Sequence, residues 1–132
     1  MCRLFIEADP ALWACETRAV RLNGFSTSVR LEAFFWTVLE DIAARDGLSV
    51  GRLLARLHDE LTHAGADIEN FTSFLRVCCG RFLDLQARGL LPDAGALGGL
   101  DVNAILDAEG RSRLGPQPAK MSGRHRGARP AA

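Results

Sequence analysis

Two short stretches of the chain combine side chains that can hydrogen-bond to nucleic-acid bases with the alternation of a β-strand. In residues 17–22 and 26–31, polar or basic side chains alternate with apolar ones, and Asn23-Gly24 between them favours a two-residue hairpin turn. If the stretches pair across that turn, one face carries the apolar residues Val20, Leu22, Phe25, Val29 and Leu31. The other face carries Arg21, Ser26, Ser28 and Arg30. Arginine can form two hydrogen bonds with guanine, and serine can donate or accept one hydrogen bond. The polar face could therefore recognise the edges of bases.

No residue pattern in the sequence predicts catalysis. Cys15 and Arg21 have the spacing of a phosphate-binding thiol loop, but the residues between them are charged or β-branched and alternate as in a strand. His58 and His63 lie five residues apart and share no helix face, and His58 is interpreted as lying on the outer face of a helix. The cysteines lack metal-ligand spacing: Cys2, Cys15, Cys78 and Cys79. We therefore predict no enzyme activity, no metal site and no cofactor.

The net charge of zero conceals an acidic body and a basic tail. Residues 1–110 carry 10 Lys+Arg and 16 Asp+Glu, whereas residues 111–132 carry six basic residues and no acidic one. A basic tail on an acidic body is expected of nucleic-acid contact, although self-association would give the same pattern. The acidic body argues against strong sequence-independent affinity for DNA, which requires neutralised phosphates. No stretch is apolar for long enough to cross a membrane or to act as a secretory signal, which predicts a cytoplasmic protein.

Apolar residues recur at helical spacing in three segments after the strands. They predict helices over residues 33–45, 50–63 and 70–87, with Ser49 capping the second. From Gly89 onward, glycine, alanine and proline are frequent and only a short helix over 102–108 is expected. The predicted units are an N-terminal arm (1–16), a folded domain (17–88) and a mostly disordered basic tail (89–132).

The order of strand, helix, tight turn and helix is unusual for so short a segment. One or two strands do not form a stable sheet alone, so the economical arrangement is a twofold dimer in which strands of the two chains pair. The predicted fold is mainly α with a short β-ribbon and an additional C-terminal helix. Either the two alternating stretches form a hairpin within the chain, or only one of them joins a ribbon between chains. The expected dimer core consists of Val29, Leu31, Phe35, Trp36, Leu39, Leu53 and Leu57.

Four segments give the chain a family resemblance: Thr27–Glu32, Phe35–Trp36, Leu39–Ser49 and Phe74–Cys79. In these segments the chain resembles the bacterial ribbon-helix-helix domain family, over roughly residues 2–88. Members are generally small and uncharacterised, and DNA binding is inferred for them from the fold. The resemblance therefore implies a homodimer that places a β-ribbon in the major groove of DNA.

The resemblance also assigns DNA contacts to individual positions. The ribbon residues aimed at base edges are Ser28 and Arg30, with Arg21 and Ser26 beside them. Ser49 and Val50, at the start of the second helix, would offer free backbone N–H groups to a phosphate. Two residues are unfavourable for DNA binding. Glu32 would repel phosphate, and Gly51 lacks a side chain that could help to hold a phosphate.

Two functions from different classes are compatible with these features. The first is a dimeric, sequence-specific DNA-binding protein that regulates transcription. The second is a dimeric protein-interaction module of the same fold that does not bind DNA. The arginines and the basic tail favour the first function, whereas the acidic body favours the second.

Overall fold

The computed structural model describes residues 1–67 and 69–114, with the backbone alone for 111–114. The helices are α1 (Cys2–Ile6), α2 (Ala33–Arg45), α3 (Val50–His63), α4 (Phe71–Ala87) and α5 (Val102–Leu114). A 3-10 turn (Pro10–Trp13) and the strands β1 (Cys15–Leu22) and β2 (Phe25–Glu32) lie between α1 and α2. Of the predicted basic tail (89–132), residues 115–132 lie outside the described residues.

The two strands form a hairpin within the chain. They pair antiparallel over eight residues each, from Cys15 opposite Glu32 to Leu22 opposite Phe25. Asn23 and Gly24 both have positive φ, 53° and 85°, as the mirror-image turn of a two-residue hairpin requires. This decides between the two arrangements that the sequence left open, because β1 of the same chain pairs along the whole of β2.

One face of the hairpin is covered by helices of the same chain. Val20, Leu22, Val29 and Leu31 are buried on this face. Phe25, predicted on the same side, lies opposite Leu22 but remains 73% exposed. It occupies the turn end of the hairpin, so sharing a face with buried residues does not bury it.

Helices α2 and α3 begin and end where their apolar spacing predicts. The Ser49 hydroxyl accepts a hydrogen bond from the Arg52 backbone N–H at 3.2 Å, which caps α3. Gly47, in the turn before it, has φ 68°, a conformation that favours glycine. The third predicted helix is α4; its N-cap residue, Asn70, makes no side-chain capping bond.

The core of the domain is formed within a single chain. Its most deeply buried side chains are Trp36, Leu31, Leu39, Leu54, Leu75 and Cys79. The Trp36 indole N–H donates to the Glu16 carbonyl at 2.8 Å, so the ring both packs and ties α2 to β1. Of the residues named for a dimer core, five are buried within this chain: Val29, Leu31, Trp36, Leu39 and Leu53. Phe35 and Leu57 are partly buried against them, and a dimer stays a prediction.

The segment after α4 is more ordered than its composition predicts. The Arg45 guanidinium donates to the carbonyls of Pro92 and Gly95 at 2.7 and 2.5 Å. The Asp46 carboxylate accepts from the backbone N–H of Leu97 at 2.8 Å. These contacts attach the segment to the end of α2, which its glycine- and proline-rich composition did not predict.

Helix α5 is longer than the predicted segment 102–108, and it continues through Gly110 to Leu114. The Asp101 carboxylate accepts from the Ala104 N–H at 3.2 Å, as expected for its N-terminal cap. The Glu109 carboxylate pairs with the Arg81 guanidinium at 2.5 and 2.9 Å, which joins α5 to α4. The described part of the chain contains no helix with the length and apolar character to cross a membrane.

Candidate nucleic-acid interface

The hairpin turns its polar side away from the helices. This surface, the hairpin face, consists of the cross-strand pairs Thr17–Arg30, Ala19–Ser28 and Arg21–Ser26. All six residues are exposed, and none is acidic. The structure thus brings together on one sheet surface the four ribbon residues that the sequence predicted: Arg21, Ser26, Ser28 and Arg30.

Arg30 is available for binding. Within the described residues its guanidinium makes no hydrogen bond or ion pair, and it does not pair with the nearby Glu32. Glu32 instead pairs with Arg76 of α4 at 2.9 and 3.4 Å. The hydrogen bonds from Arg76 are the main reason that the pKa of Glu32 lies below its ordinary value, with a smaller contribution from the charge of Arg30. Because Arg76 partly neutralises this carboxylate, its repulsion of phosphate is weaker than the sequence alone suggests.

Arg21 lies at the turn end of the same face. One nitrogen of its guanidinium donates to the Gly24 carbonyl at 3.0 Å. A guanidinium has five N–H donors, so this bond holds the side chain near the turn and leaves donors for a ligand.

The N-terminus of α3 lies beside β1. A groove of about 280 Å³ separates them, lined by Ala19, Val20, Arg21, Ser49, Gly51, Arg52 and Ala55. A Cβ atom on Gly51 would lie 4.0 Å from the Val20 side chain, an ordinary contact, so this glycine is not required for packing. The Val50 side chain packs against the core, so this residue can contribute to the groove only through its backbone.

Arg52 and Arg56 are two further residues that sequence reasoning missed. They lie one turn apart on α3, are exposed, and make no side-chain hydrogen bond or ion pair within the described residues. Arg52 lines the groove together with Arg21. The sequence did hold a signal for them. Both arginines follow the helix cap Ser49 within two turns of α3, in a body whose net charge is otherwise acidic.

The model of the ribbon-helix-helix domain matches residues 15–83, which span the hairpin, α2, α3 and most of α4. The chain belongs to the ribbon-helix-helix domain family. Among solved structures it is similar to that of an uncharacterized protein from Bordetella pertussis Tohama I, with 49% identity and a TM-score of 0.75. That alignment covers 80% of this chain and 86% of the other. No curated protein matches the chain.

The family assignment confirms the resemblance and the predicted fold, including the additional helix α4 after the two helices of the ribbon-helix-helix domain. Proteins of this family are generally DNA-binding regulators. In this ribbon-helix-helix protein, however, the strand before the first helix already has a partner within its own chain.

Among the arginine side chains that the structure describes in this ribbon-helix-helix protein, most of the others are already engaged. Ion pairs join Arg3 to Glu7, Arg18 to Glu16 and Glu40, Arg76 to Glu32, Arg81 to Glu109 and Arg88 to Asp84. Arg45 donates to two carbonyls, as described above. Within residues 1–110, as far as they are described, the arginines without such a partner are Arg30, Arg52 and Arg56. Among the described side chains, the available positive charge is therefore concentrated on β2 and α3.

Among the described residues, neither the thiols nor the histidines form a reactive cluster. Burial raises the pKa of Cys78 to about 11 and that of Cys79 to about 12, so both are protonated at neutral pH. No group of three His, Cys, Asp or Glu side chains in residues 1–67 and 69–114 could hold a metal ion. The outer-face interpretation of His58 is wrong: its Nδ1 is buried, and its ring packs edge-on against Phe71 at 5.2 Å.

Proposed function

We propose that the chain is a cytoplasmic, sequence-specific DNA-binding protein that regulates transcription by placing the hairpin face in the major groove. The observation that carries this proposal is Arg30, which has no hydrogen bond or ion pair among the described residues and lies on an exposed sheet surface with serines and a second arginine. The carboxylate of Glu32, in the next cross-strand pair on this side, is paired with Arg76. The proposed activity is binding, with no catalytic step.

Base recognition is assigned to the side chains of the hairpin face. Arg30 can form two hydrogen bonds with the major-groove edge of guanine, which discriminates against other bases by about 1–3 kcal/mol. Ser28 and Ser26 can each donate or accept one hydrogen bond. Arg21, held at the turn by its bond to the Gly24 carbonyl, contacts a neighbouring base or phosphate.

Phosphate contacts are assigned to the start of α3. The first backbone N–H groups of a helix have no partner within it, and its dipole favours an anion at this end. Ser49 caps one of these groups, and the N–H groups of Val50 and Gly51 remain for a phosphate. Arg52 adds a positive charge beside them in the groove next to β1.

Dimerisation is assigned to the free edge of β2. In a two-residue hairpin the closing pair is hydrogen-bonded, so Ser26, Ser28 and Arg30 direct their backbone groups away from β1. Among the described residues no backbone hydrogen bond reaches this edge from another element. A second copy that pairs antiparallel along it forms a four-stranded sheet about a twofold axis. The two central β2 strands then make the ribbon that enters the groove, and the family generally binds DNA as dimers.

A protein-interaction module without DNA binding is the second candidate, and the N-terminal arm is the observation that favours it. Leu4, Phe5 and Ile6 of α1 are 75%, 65% and 72% exposed, and Trp13 is 54% exposed. Large apolar side chains grouped at one end of a chain are typical of a contact with another protein. An exposed apolar arm is also compatible with a DNA-binding protein. A measurement of DNA binding therefore decides between the two candidate functions.

Selection from a pool of randomised DNA duplexes tests the proposal. The purified full chain is equilibrated with the pool at about 50 mM salt, where phosphate contacts are strong, and bound duplexes are sequenced and their affinities measured. We expect enrichment of a defined site, and Arg30→Ala should reduce the preference for it about 5- to 150-fold, the equivalent of 1–3 kcal/mol.

Arg56→Ala is the matched control, because it removes the same charge from an exposed arginine outside the hairpin face that has no side-chain partner among the described residues. It should weaken binding to all duplexes alike and leave the preferred sequence unchanged. A wild-type chain that enriches no sequence would contradict the proposal and favour the interaction module.

A further inference from the structure

A groove lies between the turn end of the hairpin and the start of α4. Its volume is about 400 Å³, within the range of roughly 300–1,000 Å³ that is usual for small-molecule sites. Residues of both strands, of α3 and of α4 border this turn groove, among them Leu22, Phe25, Val29, His58, Glu69 and Phe71. None of these six residues has a contact in the proposed function.

The walls of the turn groove are apolar and aromatic. Leu22, Val29 and Phe71 are buried and form its apolar side. Phe25 also borders the groove but is 73% exposed, although it lies on the strand face that the helices cover. An aromatic ring prefers to contact other rings edge-on or offset, so a flat aromatic ligand suits a groove bordered by two phenylalanines.

His58 gives the groove a hydrogen-bonding group that the described chain does not use. Its ring packs edge-on against Phe71 at 5.2 Å, and its Nδ1 is enclosed without a hydrogen-bond partner. The other ring nitrogen, Nε2, also has no partner among the described residues and is not enclosed. A hydroxyl group on a ligand suits either tautomer of the ring, because a hydroxyl group can both donate and accept.

The charge of the groove favours a cation. Glu69 borders it with an exposed side chain that has no ion pair or hydrogen bond within the described residues. No lysine or arginine is among the described residues that border the groove. An ammonium group is attracted by a carboxylate and also by the faces of aromatic rings.

We infer that the turn groove binds a small aromatic amine whose ring carries a hydroxyl group. The ring contacts Phe25 and Phe71, and the hydroxyl group hydrogen-bonds to His58. The ammonium group lies near the carboxylate of Glu69. Binding of such a ligand goes beyond the proposed function and does not depend on DNA binding. Because Ser28 borders the groove and also belongs to the hairpin face, the bound ligand lies beside the proposed DNA-binding surface.

The test is an NMR titration of the isotopically labelled full chain with three matched probes. Tyramine carries all three groups, phenethylamine lacks the hydroxyl group, and hydroxyphenylpropanoate has a carboxylate in place of the ammonium group. We expect tyramine to bind about 5- to 10-fold more tightly than hydroxyphenylpropanoate, because the exposed carboxylate attracts one probe and repels the other. Tyramine should bind about 2- to 10-fold more tightly than phenethylamine, which is the effect of one hydrogen bond.

Three variants connect these preferences to individual residues. Glu69→Gln should make the affinities for tyramine and hydroxyphenylpropanoate nearly equal, whereas Glu60→Gln, at an exposed carboxylate outside the groove, should keep the preference. His58→Phe should abolish the preference for tyramine over phenethylamine. Phe25→Ala should weaken tyramine binding about 2- to 10-fold, and Phe5→Ala, which removes an exposed ring from α1, should leave it unchanged.

Thermal unfolding of each variant shows whether it folds as the wild type does. Phe25 and Glu69 are exposed, so their variants should unfold at the wild-type temperature and carry the test even if His58→Phe lowers stability. Amide shifts confined to residues that border the groove, with the expected preferences, would support the inference.

Three other results would overturn the inference. They are equal affinities for the three probes, amide shifts elsewhere in the chain, and no binding of tyramine at about 5 mM. Affinity for tyramine that falls as the protein concentration is raised would overturn it too, because a second copy of the chain would then cover the groove. The DNA selection uses the ligand-free chain, so none of these results changes the standing of the proposed function.

Discussion

The arginines of the hairpin face and those of α4 have opposite surroundings. Arg30 projects from an exposed sheet surface and has no partner among the described residues. Arg76 and Arg81 each make two hydrogen bonds to a carboxylate of another element, at 2.9 and 3.4 Å and at 2.9 and 2.5 Å. Residue type is therefore a poor guide to role here: the paired arginines hold helices in place, and the unpaired ones remain available to a ligand.

The cysteines show the same contrast between the two regions. Cys15 is exposed at the start of β1, whereas Cys79 is buried in α4 with its thiol 3.6 Å from the Phe35 carbonyl. Burial is the main cause that raises the pKa of Cys78 to about 11 and that of Cys79 to about 12. These two thiols belong to the packing of the domain.

The rate of thiol alkylation should therefore differ strongly between the exposed Cys15 of β1 and the cysteines of α4. At pH 8, a thiol with a pKa of about 11 is ionised in roughly one molecule in a thousand, and only the thiolate reacts. We expect iodoacetamide to modify Cys15 at least about 100 times faster than Cys78 or Cys79 in the folded protein. Peptide mass spectrometry over time measures the rates, and equal rates in urea confirm that folding causes the difference. Comparable rates without urea would show that α4 is open.

The hairpin turn should be more sensitive to a side chain than α4 is. Gly24 has φ 85°, where an L-residue is strained, so Gly24→Ala should destabilise the fold by about 1–2 kcal/mol. Gly80 lies within α4, and a Cβ there would meet no atom within 4 Å. Gly80→Ala is the matched control and should stabilise the protein by about 0.5–1 kcal/mol. Urea unfolding followed by circular dichroism compares them; equal stability of the two variants would contradict the strained turn.

The paired and unpaired arginines should differ in their effect on stability. Arg76→Gln removes two hydrogen bonds to Glu32 and should lower the free energy of unfolding by up to about 1 kcal/mol, because both side chains are partly exposed. Arg30→Gln removes no contact seen in the described residues and should leave it within about 0.5 kcal/mol of the wild type. Differential scanning calorimetry of both variants measures the contrast. A larger loss for Arg30→Gln would mean that its side chain stabilises the fold.

The hairpin face was predictable because strand geometry alone fixes it. Alternation sets which side chains share a surface, and Asn23-Gly24 sets the register, so Arg30 and Ser28 followed from the sequence. Helices α2 and α3 followed from apolar spacing and the Ser49 cap. These features depend on neighbours a few residues away.

The features that sequence reasoning missed depend on contacts between distant residues. Ordering of the segment after α4 relies on Arg45 and Asp46, about 50 residues earlier in the chain. The availability of Arg52 could be recognised only once the carboxylates were seen to pair with other arginines. The inward position of His58 reflects the packing of α3 against Phe71. His58 lies four residues after the buried Leu54, so helical spacing could have placed it beside the apolar stripe.

The ion pair between Glu32 and Arg76 should also make the stability of the fold depend on pH. This is the smallest of the predicted effects. Hydrogen bonds from Arg76 are the first cause of the lowered pKa of Glu32, relative to 4.5. A carboxylate whose pKa is lower in the folded state stabilises the fold above its unfolded pKa, and this contribution is lost as the pH falls through the folded value. The wild type should therefore be more stable than Glu32→Gln at pH 7, and the difference should shrink below pH 4.5. Thermal unfolding of both proteins from pH 7 to pH 3 measures it, with an Arg56→Gln variant as a control whose difference from wild type should change little with pH. A difference for Glu32→Gln that stays constant down to pH 3 would mean that Arg76 holds Glu32 through packing and position, with no contribution from its charge.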